Sequence, residues 1–549
     1  MKIVIPMSGM GNRFVKAGYK TPKPLIEMDG MPIIEHVVRM FPSEDDFIFI
    51  CNSIHLQETP IRAILENIAP KGKIVEIPPH KKGPVYAVHY IEDLLEEDEE
   101  VIVNYCDFSC YWNYSDFLEH TRSRDADGCV PAYKGFHPHM LGTTNYAFMR
   151  DKEQWMLEIK EKEPFTNNRM QEYASMGTYY FKKGAYVKKY FKELMDRDIN
   201  LNGEYYVSLI YNLLVEDDLK VSIYDVQHML QWGTPQDVEE YNGFSNYFRA
   251  VCEVTVDTEI HKANGINLIP LAGLGSRFSK EGYVDPKPLI QVSGKPMIVQ
   301  AANYLPKAPK NSFVCLEAHL EQYPLEDSIK KAYPDAKIVA LNKTTEGQAC
   351  TCEIGLENED LDSPLLIAAC DNGMLYNKEK YEALLDDDTV DAIAWSFRNH
   401  PSSDRNPEMY GWIKTDEKDT ITGVSVKKAI SDTPRKDHAI VGTFYFRKAS
   451  YFLEALSRMY AKNERVNGEF YVDSCFNKLV EMGLNAKVFE IDHYIGWGTP
   501  NDYRTFTYWQ SFFHKVDWHP YRLENDVTVN QSSWASLNKE YNEFEQEWQ

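Results

Sequence analysis

The 549-residue sequence predicts an α/β protein of two tandem domains, each a mainly parallel sheet wrapped by helices. Three observations carry this. Short apolar runs alternate with helix-like segments at the spacing of βαβ units; a Gly-rich string follows the first apolar run of each half; and the pattern recurs at a nearly constant offset. Gly9 and Gly273, Gly83 and Gly347, and Asp107 and Asp371 are each 264 positions apart, while Gly177 and Gly442, and Trp232 and Trp497, are 265 apart. So steady an offset over about 225 residues describes an ancient tandem duplication with almost no insertion. The halves are expected at 1–248 and 266–510. A connector at 249–265 carries Asp257, Glu259 and Asn264, and 511–549 is a C-terminal tail of one packing helix and a loose end.

The elements of the first half follow in order. Ile3-Val4-Ile5 reads as a buried strand, and the apolar runs at 47–50, 73–77 and 101–103 read as further strands. Helices are expected between them at 33–40, 57–68 and 85–95. A meander from Asn145 to Lys160 and a helix from about Ala185 to Met195 come next.

Hydrophobic residues at 43% and charged residues at 26% are ordinary for a globular protein with room for a sizeable core in each half. Acidic side chains outnumber basic ones 83 to 59, and no basic stripe is visible, which argues against nucleic acid and anionic membranes as partners. A strand beginning right after Met1-Lys2 leaves no room for a signal peptide, and no apolar run has transmembrane length, so a cytoplasmic location is expected. The ten cysteines are scattered without paired CxxC spacing, which fits buried, reduced thiols.

The chemistry is concentrated in the string from Pro6 to Ile26, PMSGMGNRFVKAGYKTPKPLI, written again from Pro270 to Ile290 as PLAGLGSRFSKEGYVDPKPLI. Gly9 and Gly11, or Gly273 and Gly275, let backbone N–H groups approach anionic oxygens closely, and Arg13 or Arg277 offers a planar donor fork. Lys23 and Lys287 each lie between two prolines, which restrict where the ammonium can point. A dinucleotide fingerprint wants a third glycine where Phe14 and Phe278 stand, and a P-loop wants a terminal Gly-Lys-Ser/Thr; both are absent. The full string, G-x-G-x-R-F, then G-Y, then P-K-P-L-I, present twice, closely resembles the signature of the sugar nucleotidyltransferases, the nucleoside-diphosphate-sugar pyrophosphorylases.

That resemblance implies a Rossmann-like mixed sheet, mainly parallel, in each half, and a set of roles. Asp107 and Asp371, just past a strand end, fall where the family has a Mg²⁺ ligand. Gly83, and Gly347 with Gln348, fall where the family passes the nucleotide base; here Lys82-Gly83-Pro84 faces Glu346-Gly347-Gln348, a charge reversal and an exchange of Pro for a hydrogen-bonding amide. From the pairs Glu161-Lys162 and Lys427-Lys428, Lys162 and Lys428 are taken as the sugar-phosphate lysines. Gly177 and Glu204, and Gly442 and Glu469, border the acceptor in the family, although a turn role for the Asn-Gly-Glu segments competes. The chain departs from the commonest pattern at Gln231 and Gly496, where many relatives have a second metal-binding Asp. Asp225, or Glu490 and Asp492, are candidate substitutes. The paired histidines His137 and His400, and His228 and His493, invite a general-acid role, with a structural, hydrogen-bonded one as the default.

The implied reaction transfers a nucleotidyl group from an NTP to a phosphorylated sugar or polyol, in service of cell-surface polysaccharide synthesis, with Mg²⁺ as cofactor. A phosphate monoester has a second pKa of about 6, so the nucleophile is already anionic and no general base is needed. CTP is slightly favoured, because Glu490-x-Asp492 resembles the acid pair of some cytidylyltransferases. Two other readings stay open: one half catalytic and the other a non-catalytic nucleotide-sugar sensor, or a glycosyltransferase, which would normally show Asp-x-Asp where this chain has Asp-Phe-Ser and Asp-Asn-Gly. The oligomeric state is left open.

Overall fold

The computed structural model describes residues 1–253, 258–261 and 265–542. The chain divides into two compact units. The first comprises Met1–Asn242 with Lys515–His519 and the residues from Glu540 on; the second comprises Gly243–His514 and Pro520–Lys539.

The first unit is built on a ten-stranded mixed sheet whose order, by first residue, is Tyr173, Ala147, Trp155, Val221, Gly128, Thr178, Val101, Lys2, Phe47, Lys73. Strand Lys2–Met7 lies between Val101–Asn104 and Phe47–Asn52, parallel to both, and Lys73–Ile77 extends this parallel block. Every residue of Lys2–Met7 and Phe47–Asn52 is buried, as expected for parallel strands covered on both faces by helices. The rest of the sheet is largely antiparallel. Its outer part is the hairpin Ala147–Lys152 and Trp155–Glu161, turned at Glu153 and Gln154, both at positive φ as a two-residue hairpin turn requires.

Two helices end differently from expectation. The segment 57–68 is split into Ser53–Glu58 and Ile61–Ile68, because Pro60 lacks an N–H and pushes Thr59 into an extended conformation. Asn52 caps the first piece, its side chain accepting the His55 N–H at 2.8 Å. The expected helix at 85–95 is Gly83–His89 followed by one 3₁₀ turn, Glu92–Leu94.

The second unit repeats the strand order. From the edge inward it runs Lys337, Lys310, Ile266, Leu365, His438, Ala392, Ala486, matching Lys73, Phe47, Lys2, Val101, Thr178, Gly128, Val221. A hairpin, Gly411–Thr415 with Ile421–Val426, pairs with His438–Phe446.

The expected boundaries shift. Helix Pro235–Glu253 runs unbroken through 248, so the proposed connector is helical as far as Glu253. Asp257 and Asn264 lie outside the described residues. The tail is more ordered than expected: helix Pro500–Lys515 extends past 510, and buried Asp526 accepts from the Tyr521 hydroxyl at 2.7 Å and the Thr528 N–H at 2.8 Å. Among the described residues no helix is long and apolar enough to cross a membrane.

Candidate active site

In the first unit, strand Lys2–Met7 delivers the Gly-rich loop at its carboxyl end. Gly11 sits in the left-handed region at φ 63° and opens helix Asn12–Lys16. The loop is braced from beneath: buried Asn52 donates to the Ser8 carbonyl at 3.0 Å, and the Ser8 hydroxyl pairs with His80 Nε2 at 2.9 Å. Among the described residues, none beyond the chain neighbours of Gly9 comes within 4 Å of where its Cβ would stand, so the space there is open to a ligand. The same holds for Gly273.

Pro22 and Pro24 flank Lys23, the first residue of the short 3₁₀ turn Lys23–Leu25, and aim it across the site, where Nζ donates to Asp107 Oδ2 at 2.8 Å. Burial works against the Lys23 charge, but Asp107 outweighs it and holds the ammonium above its ordinary pKa. Lys287 and Asp371 form the same pair in the second unit, with the same balance. Each aspartate is also held through its backbone. A two-stranded ribbon, Phe108–Tyr111 with His228–Gln231, brings the Trp232 N–H to the Asp107 carbonyl at 2.9 Å; Trp497 does the same to Asp371 at 2.8 Å. The following glycines leave room for the carboxylates: a Cβ on Gly233 would lie 3.3 Å from Asp107 Oδ2, and one on Gly498 3.0 Å from Asp371 Oδ2.

Beside Asp107 opens a cavity of about 220 Å³, whose walls include Arg13, Asp107, Glu161, Lys162, Gly177 and Gln231. Arg13, Asp107, Lys162 and Gly177 were singled out in the sequence; Glu161 and Gln231 were not assigned a place in the site. The signal for Glu161 was an acid closing a strand directly before Lys162. Lys162 adopts φ 59°, its N–H donates to the Tyr146 carbonyl at 2.7 Å, and its ammonium donates to the Tyr206 hydroxyl at 2.6 Å. Gly177, at φ 105°, packs against the Phe108 and Tyr105 rings, and Gly442, at φ 93°, against Ala369. Glu204 is outside the cavity wall and accepts from Tyr206, which is part of it.

Several expectations need correction. The counterpart of Lys162 is Lys427, not Lys428: Lys427 shares φ 59°, its N–H donates to the Tyr410 carbonyl at 3.0 Å, and it senses the charges of Asp473, Arg277, Glu469 and Asp371. Lys428 is exposed. Gly83 and Gly347 answer to their own chain. A Cβ on Gly83 would lie 2.6 Å from the Tyr205 carbonyl oxygen, and one on Gly347 2.4 Å from that of Phe470, because Lys82 and Glu346 accept the Tyr205 and Phe470 N–H groups at 2.9 Å. Gln348 opens helix Gln348–Gly355, half-buried. Asn202-Gly203 and Asn467-Gly468 are tight turns with all four residues at positive φ, so Glu204 and exposed Glu469 follow turns.

The substitute metal ligands are not brought to the aspartates. Asp225 accepts from Gln154 at 2.6 Å and is absent from the cavity wall. Glu490 is taken by Arg398 in a two-pronged ion pair, with Nε at 2.9 Å, and Asp492 is exposed. At the position of the missing family Asp, Gln231 donates to Asp237, which burial pushes up to about 6. Among the described residues no three His, Cys, Asp or Glu side chains cluster to hold a metal. Asp107 and Asp371 each offer a hard oxygen donor, which fits a cation completed by substrate phosphates and water, the usual manner of Mg²⁺. Burial lowers the pKa of His137 and of His400 to about 3.

Residues 3–168 match the model of the MobA-like NTP transferase domain. No curated protein matches the chain. Among solved structures, it is similar to the nucleoside-diphosphate-sugar pyrophosphorylase from Vibrio cholerae RC9, with 22% identity, 44% of this chain and 98% of that one covered, and a TM-score of 0.37. It is also similar to the inositol-1-phosphate CTP transferase from T. maritima, with 14% identity, 45% and 97% covered, and a TM-score of 0.36. The matched stretch contains the Gly-rich loop, Arg13, Lys23, Asp107 and Lys162.

Proposed function

We propose that the chain is a tandem pair of sugar-phosphate nucleotidyltransferases, each half transferring a nucleotidyl group from an NTP to a phosphorylated sugar or polyol. The observation that carries this is the doubled Lys–Asp pair, Lys23–Asp107 and Lys287–Asp371, held at the carboxyl end of a parallel block beside a Gly-rich loop. A phosphate oxygen of the acceptor attacks the α-phosphorus in line. The new P–O bond forms as the α–β bridge bond breaks, and the electron pair leaves on pyrophosphate. Arg13 or Arg277 and the loop amides receive the leaving pyrophosphate, while Lys23 or Lys287 stabilises charge on the transferred phosphoryl group. Lys162 or Lys427 holds the acceptor phosphate. Asp107 or Asp371 would hold a Mg²⁺ ion, which would supply charge neutralisation on the triphosphate.

The product is an NDP-sugar or NDP-alditol, suited to surface polysaccharide assembly. The ground for preferring CTP weakens with Glu490 committed to Arg398. Pyrophosphate release and product mass, measured with each of the four NTPs and a panel of sugar and polyol phosphates, test the reading. Activity with at least one combination is expected. Asp107→Ala and Asp371→Ala, made singly, should each remove a different NTP and acceptor combination by about 10²-fold or more. Silence across the panel refutes the reading, and proportional loss of one activity in both variants refutes two distinct sites.

A further inference from the structure

The two halves place a carboxyl group close to the corresponding lysine, but they supply it from different elements. In the first unit it is Glu161, the last residue of strand Trp155–Glu161, paired in register with Ala147 of the neighbouring strand. Its side chain is 8% exposed and lies 4.0 Å from Lys162 Nζ in the cavity wall. One carboxylate oxygen accepts from Ser208, the second residue of helix Val207–Glu216, at 2.6 Å.

In the second unit all three positions change together. The strand ends in Val426, its register partner is Gly411, and the second residue of helix Val472–Glu481 is Asp473. The acid has moved from the strand to the helix. Gly411 is what makes this possible, since a Cβ there would stand 2.3 Å from Asp473 Oδ2. An alanine, as at 147, could not coexist with the aspartate in this position. Asp473 forms no ion pair and accepts from no other side chain among the described residues, and Lys427 feels it as its strongest charged neighbour, ahead of Arg277, Glu469 and Asp371. Desolvation pushes its carboxyl up to about 6, partly offset by its own backbone N–H at the helix start. A half-buried carboxylate with spare acceptor sites, within electrostatic reach of a lysine suited to a phosphate, matches a molecule that carries both a phosphate and hydroxyl groups.

We propose that Asp473 reads the acceptor of the second half, its carboxylate accepting hydroxyl hydrogen bonds from a phosphorylated sugar or polyol whose phosphate sits at Lys427. The first half does this with Glu161 at Lys162. Because the acid approaches from the strand in one half and from the helix in the other, the two halves select acceptors whose hydroxyls are differently disposed about the phosphate. This rests on the nucleotidyl-transfer reading.

The test uses the full chain with Asp107→Ala, which silences the first half. Pyrophosphate release is followed over a panel of glucose 1-phosphate, inositol 1-phosphate, glycerol 3-phosphate and other sugar and polyol phosphates. Adding Asp473→Asn should raise KM for the second half's acceptor about tenfold or more, with KM for the NTP within about twofold. An unchanged acceptor KM overturns the assignment. If Asp473→Asn fails to fold by thermal melting, the graft Gly411→Ala, Val426→Glu, Asp473→Ser decides. It should move the second half toward the acceptor used when Asp371→Ala silences that half instead, and a folded graft with unaltered preference overturns the proposal. No pyrophosphate from the unaltered chain on any combination overturns the nucleotidyl-transfer reading itself, and this assignment with it.

Discussion

The second Gly sites of the two halves and the floors of their acceptor regions differ in opposite ways. Lys82 against Glu346 is a full charge reversal, yet each charge is satisfied locally. Lys82 lies over the Tyr86 ring at 4.6 Å, and Glu346 pairs with Arg465 at 2.7 Å, Arg465 itself stacking on Phe470 at 4.2 Å. The reversal alters the surface more than it alters the pocket. The exchange of Ala147, Glu161 and Ser208 for Gly411, Val426 and Asp473 leaves the number of acids unchanged and is inconspicuous in the sequence, but it moves a carboxylate from one element to another. Charge differences between duplicated domains carry specificity where they are desolvated, and very little where water and a partner screen them.

The bracing of the phosphate loops differs as well. Ser8, Asn52 and His80 form a hydrogen-bonded support in the first half, whereas the positions 264 residues on are Ala272, Leu316 and Thr344. The second loop therefore rests on apolar packing.

The comparison can be broken most directly at the shared feature. Lys23→Ala and Lys287→Ala should each lower kcat for their own half by about 10²- to 10³-fold while changing NTP affinity far less, because the contact matures in the transition state. Steady-state kinetics with calorimetric NTP binding checks this, and a change confined to NTP affinity would falsify the assigned role.

The glycines at 83 and 347 give a smaller effect, seen as stability. Gly83→Ala and Gly347→Ala place a Cβ against a backbone carbonyl at positive φ, a strain of about 1–3 kcal/mol. Melting temperatures lower by roughly 2–10 °C are expected in both variants. Intact stability with weakened nucleotide binding would instead return these glycines to the base pocket.

The smallest effect belongs to the conspicuous difference. Arg465→Ala removes the partner of an exposed carboxylate and should cost less than about 1 kcal/mol, fading at high salt. A large shift in NTP preference in this variant would show that Glu346 works in the pocket after all.

The sequence by itself determined the α/β class and the doubled signature, and it singled out Lys23 with Asp107 and Lys287 with Asp371, which the fold pairs, because these follow from periodicity and from motifs that are contiguous in the chain. Only the tertiary structure decided that Lys427 rather than Lys428 corresponds to Lys162, since two adjacent lysines differ by which one takes the positive-φ position after the strand. It likewise decided that Gly83 answers to Tyr205, that Arg398 takes up Glu490, and that Asp473 lies against Gly411. Each of these depends on residues tens to more than a hundred positions apart brought together by strand pairing and helix packing. Local spacing carries no record of such distances, because burial and partner choice are properties of the folded neighbourhood.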